Sequence, residues 1–193
     1  MSENKKVWFG SDHHFGHEFM SKFRNFDTIE EHDQALIDAH NLVVQPGDDV
    51  YFMGDFVFRS ARHYEHYTKQ LNGNLHLIRG NHDSIGLTGG TRGFRWVKDY
   101  HEIKLPNLLS EEEIKPNIQV DLFHYPILCH NKNKRGAFML HGHTHSAIDE
   151  LTKGKIRDVE IKKSNLFEPY EWQDILLFMK DRPIYAPDCG IYC

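Results

Sequence analysis

Five short apolar runs in this 193-residue chain each end in residues that bind metals or move protons. Lys6 to Ser11 leads into Asp12-His13-His14, Asp49 to Met53 into Gly54-Asp55, and Asn74 to Arg79 into Gly80-Asn81-His82-Asp83. Ile118 to Phe123 ends at His124-Tyr125-Pro126, and Ala137 to Leu140 at His141-Gly142-His143-Thr144-His145. Any one of these is ordinary turn chemistry. Together, Asp12, His14, Asp55, Asn81, His124, His143 and His145 supply two aspartates, an asparagine and four histidines. These oxygen and nitrogen donors, without a thiolate, suit Mn²⁺, Fe or Zn²⁺ rather than Ca²⁺. Seven donors exceed one tetrahedral ion. They suit two ions about 3.5–4 Å apart that share a bridging carboxylate, an arrangement that clamps an in-line phosphoryl displacement. Beside Asn81, His82 offers an imidazole for proton transfer and Asp83 a carboxylate to orient it.

The elements that must position these groups alternate. Alternation along an extended strand would set Asp12 and His14 on one side and His13 on the other, and would aim His143 and His145 the same way about Thr144. Thr28 to Val44 reads as a helix: Thr28 and Glu31 form a capping-box pattern, Ile29, Leu36, Ile37 and Val43 lie near helical spacing, and Pro46-Gly47 is a stop. A second helix from a Ser60 cap to about Leu71 precedes an Asn72-Gly73 turn. Strand, helix, strand, helix, strand favours an α/β sheet with its site outside the carboxyl ends of the strands. Ile85 to Gly93 reads as a loop at the mouth of the site, Phe94 to Leu105 as one strand, and Leu109 to Asn117 as a polar turn. Tyr170 to Met179 reads as a helix and Pro183 to Cys193 as a closing strand or tail.

The motif set resembles that of the calcineurin-like metallophosphoesterase superfamily: Asp-x-His, Gly-Asp, Gly-Asn-His-Asp/Glu, a lone His and Gly-His-x-His, all in order from Asp12 to His145. With Phe15-Gly16-His17 after the first motif, the chain looks closest to the small stand-alone phosphoesterases of bacteria and their phages. The resemblance implies a four-layer α/β sandwich, two mixed β-sheets flanked by helices, as a single domain over residues 1–193. It implies two divalent ions, Mn²⁺ first and Fe, Zn²⁺ or Ni²⁺ as the others. Asp12, His14, Asp55 and His145 would hold one, and Asp55, Asn81, His124 and His143 the other, with Asp55 as the bridge. His82 would contact the phosphoryl group and protonate the leaving oxygen. Arg79 would bind phosphate, as in the Arg-Gly-Asn-His segment of the phosphoprotein phosphatases, or else form a surface salt bridge. Phe58 stands where those phosphatases carry an aspartate, which argues against a protein phosphatase. His17 and His141 match no ligand position and read as packing or supporting residues.

The implied activity is hydrolysis of a phosphate diester or monoester, a diester favoured and a nucleotide among the substrates, by attack of a metal-bridging hydroxide. A nuclease and a catalytically silent metal-binding scaffold are the alternatives. The net charge of -5 and pI near 6.3 disfavour nucleic acid as a partner, although Arg92, Arg95, Lys132, Lys134 and Arg135 could line a groove. No apolar run approaches the roughly 20 residues of a membrane span. The three cysteines, Cys129, Cys189 and Cys193, show neither disulfide nor zinc-site spacing, so a soluble cytoplasmic protein is expected.

Overall fold

The computed structural model describes residues 5–58, 64–84, 92–109, 117–147, 153–161 and 166–185. Strands β1 (Val7–Gly10), β2 (Asp49–Phe52), β3 (Asn74–Ile78) and β4 (Trp96–Lys98) pair in parallel in the order β4-β3-β2-β1, and β9 (Tyr170–Glu171) joins β1 antiparallel at the edge. The second sheet runs β5 (Tyr100–Pro106), β6 (Asn117–Phe123), β7 (Phe138–His141), β8 (Ile156–Asp158), with only β5 antiparallel. Both sheets are thus mixed. Helices α1 (Glu18–Phe23), α2 (Ile29–Val43), α3 (Tyr64–Thr68) and α4 (Trp172–Lys180) complete the architecture.

Strand alternation sorts the core into two layers. Trp8, Val50, Phe52, Leu75 and Leu77 pack on Leu36 and Ile37 of α2 and Tyr64 and Tyr67 of α3. Phe9, Met53 and Ile78, pointing the other way, meet Val120, Leu122, Phe138 and Leu140 of the second sheet, joined by Trp172, Ile175 and Met179 of α4. The expected pair of mixed sheets flanked by helices is therefore what the chain builds. Burial on both faces explains why β1 to β3 read as apolar runs rather than alternating ones.

The expected α2 is present, with Thr28 accepting from the Glu31 amide and Glu31 returning the bond. One expectation needs correction: Phe94 to Leu105 is two strands in different sheets. The chain leaves β4 at Asp99 and enters β5, so the segment is the crossing between the sheets, and no glycine or proline marks the break at Asp99. Tyr170 and Glu171 are an edge strand before α4, not its first turn. The loop expected at 85–93 and the polar turn at 109–117 lie largely outside the described residues, as do the Ser60 cap and the chain beyond Tyr185. Among the described residues, no helix is long and apolar enough to cross a membrane.

Candidate metal centre

The carboxyl ends of β1, β2 and β3 meet those of β6 and β7 at one rim. There, two clusters form whose donor atoms each lie within 4.8 Å of one another: Asp12, His14 and His145, and Asp55, His124 and His143. Asn81 joins the second, its Oδ1 3.0 Å from Nε2 of His124. Asp55 lies between the two, its Oδ2 3.8 Å from Nε2 of His14 and 3.6 Å from Nε2 of His124. Asp12, His14, Asp55 and His124 are buried and form a floor, while Asn81, His143 and His145 are exposed at the rim.

The backbone that aims these side chains is not extended. Asp12, His14, Asp55, His143 and His145 have φ of 56°, 52°, 51°, 69° and 45°. Left-handed backbone is uncommon outside glycine and costs on the order of 1–3 kcal/mol per residue. Strand alternation was therefore the wrong route to the pairing of Asp12 with His14, and His143 and His145 turn to different clusters. Main-chain bonds hold the strain: the amides of Asp12, His14 and Phe15 donate to the carbonyls of Gly54, Asp55 and Phe56, binding the first two motif loops together. Glycines give the third dimension. A Cβ on Gly80 or Gly142 would overlap the carboxylate of Asp55 or Asp12, respectively.

The donors fit cations. Both ring nitrogens of buried His14 lack a hydrogen-bond partner, an expensive condition unless something else takes the lone pair. Burial drives its pKa down to about 2, so the ring is neutral and its lone pair is available to a cation. His124 gives Nδ1–H to the Met53 carbonyl at 2.7 Å, which leaves a lone pair at Nε2 facing Asn81 Oδ1. Either a cation between these acceptors or a turned-over amide satisfies them. Burial likewise pushes the Asp12 carboxyl up to about 8, the mark of a negative charge without a counter-charge.

Sequence reasoning missed the residues that support this floor. Arg24, buried at the end of α1, donates to the carbonyls of Asp12 at 2.7 Å and His13 at 2.9 Å, and approaches Glu160 at 3.7 Å. Glu160 in turn lies 2.8 Å from Nδ1 of His145, which frees Nε2 for a ligand and holds the ring's pKa above its ordinary value. Asp158 orders the loop between them by accepting from Thr144 Oγ1, the Ser146 amide and the Glu160 amide. The only sequence signal was the acid pair Asp158 and Glu160 after the last motif.

The remaining motif residues divide. His82 lies beside the clusters, half-buried, with its amide bonded to Asp55 Oδ1 at 2.8 Å and its Nε2 3.9 Å from Asp55 Oδ2. Asp83 does not orient the His82 ring, contrary to expectation. Its carboxylate accepts from the amides of Phe56, Val57 and Gly80 and from Tyr64 Oη, so it ties the second and third loops together. Burial raises its pKa to about 6. Arg79 takes the salt-bridge alternative, its guanidinium 2.8 and 2.9 Å from Asp99. His13 packs against Phe15, Phe52 and Phe56, away from the centre as expected. His17 stacks on Phe58.

The family model for calcineurin-like phosphoesterases matches residues 5–191. The uncharacterized protein MJ1445 of Methanocaldococcus jannaschii is 32% identical over 146 residues, 74% of this chain and 70% of that protein. The Gene 66 protein of Mycobacterium phage L5 is 31% identical over 165 residues, 74% of this chain and 78% of that one. In fold, the chain is similar to a crystal structure of AQ665, a protein of unknown function from Aquifex aeolicus, with a TM-score of 0.67 and 21% identity over 91% of this chain and 100% of that chain. The chain belongs to the calcineurin-like phosphoesterase family.

Proposed function

We propose that residues 1–193 form one cytoplasmic dinuclear-metal phosphoesterase domain that hydrolyses phosphate diesters, nucleotide esters among them. The observation that carries this reading is Asp55 Oδ2, within 3.8 Å of a histidine nitrogen from each of two donor clusters. Asp12, His14 and His145 would hold one ion, Asn81, His124 and His143 the other, and Asp55 both. Mn²⁺ suits these donors best, with Fe, Zn²⁺ and Ni²⁺ as the other candidates. When bound, two such cations supply a water acidic enough to attack near neutral pH and positive charge for the phosphoryl oxygens.

The chain's own residues do the rest. The left-handed loops fix the donors before substrate arrives, so little reorganisation is needed at the moment of reaction. His82 is the one motif imidazole outside both clusters and is half open to solvent, and it serves as the proton donor to the departing oxygen. Two of the basic residues of the nuclease alternative, Arg95 and Lys132, sit elsewhere. Arg95 bonds Asn74 at the start of β3 and Lys132 bonds Gln119 near the start of β6, so both lie toward the strand ends opposite the clusters.

The test is His82→Ala with metals bound, measured on a p-nitrophenyl ester and an alkyl ester. A p-nitrophenolate leaves without a proton and an alkoxide does not. General acid catalysis of roughly 10²–10⁴-fold should vanish on the alkyl ester and largely survive on the aryl one. Equal loss of kcat/KM on both would make His82 an electrostatic contact only, and no turnover by the metal-loaded wild type would sink the reading.

A further inference from the structure

Helix α1 follows directly on the first motif and carries an odd surface. Its buried face is Met20 and Ser21, while Phe19 and Phe23, one turn apart, are 67% and 52% exposed. Their rings lie parallel, 6.1 Å apart with 11° between planes. Exposing two phenylalanines on one helical turn is unfavourable in water, and such patches mark places where something binds.

This patch is continuous with the metal centre, ring by ring. Phe19 lies 6.2 Å from His17, and His17 stacks on Phe58 at 3.5 Å and 21°. Phe58 in turn lies 4.9 Å from His82 and 6.4 Å from His14. His14 is a candidate metal ligand and His82 the proposed acid, so the row of rings begins where the phosphoryl group must sit and ends in solvent. Among the described residues, neither Phe19 nor Phe58 belongs to the core clusters.

Resting on the phosphoesterase reading, we infer that Phe58, His17 and Phe19 form a stacking shelf for the base of a nucleoside phosphate ester. A nucleobase is flat, has a π-face whatever its identity, and is held one sugar away from its phosphate. It therefore meets the shelf while the phosphate meets the metals. The fit is to stacking, so the shelf discriminates base from no base more than one base from another. A protein partner is the weaker occupant, because one helical turn with two exposed rings falls far below the ~1,000 Å² that a specific interface needs.

The experiment compares a matched pair, the methyl diesters of adenosine 5′-phosphate and of ribose 5-phosphate, with Mn²⁺-loaded protein. Wild type should favour the adenosine ester by roughly tenfold to a hundredfold in kcat/KM, chiefly through KM. Phe19→Ala and Phe58→Leu should shrink that ratio toward one. The ratio is the readout, since a variant that merely lowers all activity does not move it. Calorimetry with AMP and ribose 5-phosphate should show the same preference in wild type and its loss in the variants. A wild-type ratio near one, or a ratio that survives both substitutions, overturns the shelf. If neither ester turns over, the phosphoesterase reading is what fails, and the calorimetric ratio still decides the shelf. Sedimentation covers the remaining occupant: a wild-type dimer that Phe19→Ala makes monomeric, with the nucleoside preference intact, would assign the patch to a second copy of this chain.

Discussion

The two donor clusters use the same kinds of ligand but are braced by different parts of the chain. Around Asp12, His14 and His145 side chains are added to the main-chain bonds between the first two motif loops: Arg24 grips the main chain of residues 12 and 13, and Glu160 holds the His145 ring. Around Asp55 and His124 the braces are mostly main chain, with the Met53 carbonyl fixing His124, the His82 amide fixing Asp55 Oδ1, and Gly54 packed against Gly80. Side-chain bracing can be loosened by small chemical changes. Main-chain bracing survives many substitutions but not a change of backbone shape.

The strongest way to break the comparison is at the group the two halves share. If Asp55 bridges as proposed, Asp55→Ala should abolish turnover and deplete both ions, because one carboxylate would serve each cation and partly screen their repulsion. His14→Ala should empty mainly one position. Elemental analysis and calorimetric metal titration of the two variants decide this, and equal metal loss in both would make Asp55 an ordinary ligand.

Gly54→Ala attacks the main-chain half. Gly54 has φ of +89°, and a Cβ there would stand 2.5 Å from His124 Nδ1 and 2.7 Å from the Gly80 backbone. The variant should lose about 1–3 kcal/mol of stability and displace His124. The second ion should go first. Denaturant melts and metal stoichiometry provide the measurement, and loss of the first ion ahead of the second would reverse the assignment of support.

Glu160→Gln and Arg24→Lys probe the side-chain half more gently. Removing the carboxylate that orients a ligating histidine weakens metal affinity by 10–100-fold in comparable sites. The same range is expected here for the first ion, with the second unchanged. Titration should then show one weakened site and one intact site, whereas parallel weakening of both would mean that the halves are not independently braced.

The contrast also explains what could be read from the chain in advance. The clustered ligands follow short apolar runs, and each stands in a local pattern whose chemistry is recognisable without any structure. Arg24 and Glu160 have no such pattern. One ends a six-residue helix whose exposed phenylalanines blur any periodicity, the other follows a three-residue strand, and only the closing of β1 against the second sheet brings them together. The left-handed loops were hidden for a related reason. Asp and His tolerate that backbone rather than announce it, so a residue such as His145 reads as an extended one until hydrogen bonds from distant segments impose its φ. The β4 to β5 crossing was lost because Asp99 interrupts an otherwise strand-like run without the glycine or proline that marks most turns.

The smallest expected effect belongs to Asp83, a side-chain brace within the half held mostly by main chain. Its Oδ1 accepts from the Phe56 and Val57 amides and from Tyr64 Oη, and its Oδ2 from the Gly80 amide. In Asp83→Asn the remaining oxygen can keep the first three bonds, but the new amide would point a donor at the Gly80 N–H. One bond is lost and two buried donors oppose each other, a cost of about 1–3 kcal/mol. For a chain of this size that corresponds to a Tm lower by roughly 2–12 °C. Because the carboxylate holds loops together and does not touch the His82 ring, the ratio of alkyl-ester to aryl-ester kcat/KM should stay at its wild-type value while the Tm falls. A variant that instead reproduced the leaving-group dependence of His82→Ala, with little thermal change, would return Asp83 to the role of orienting the acid.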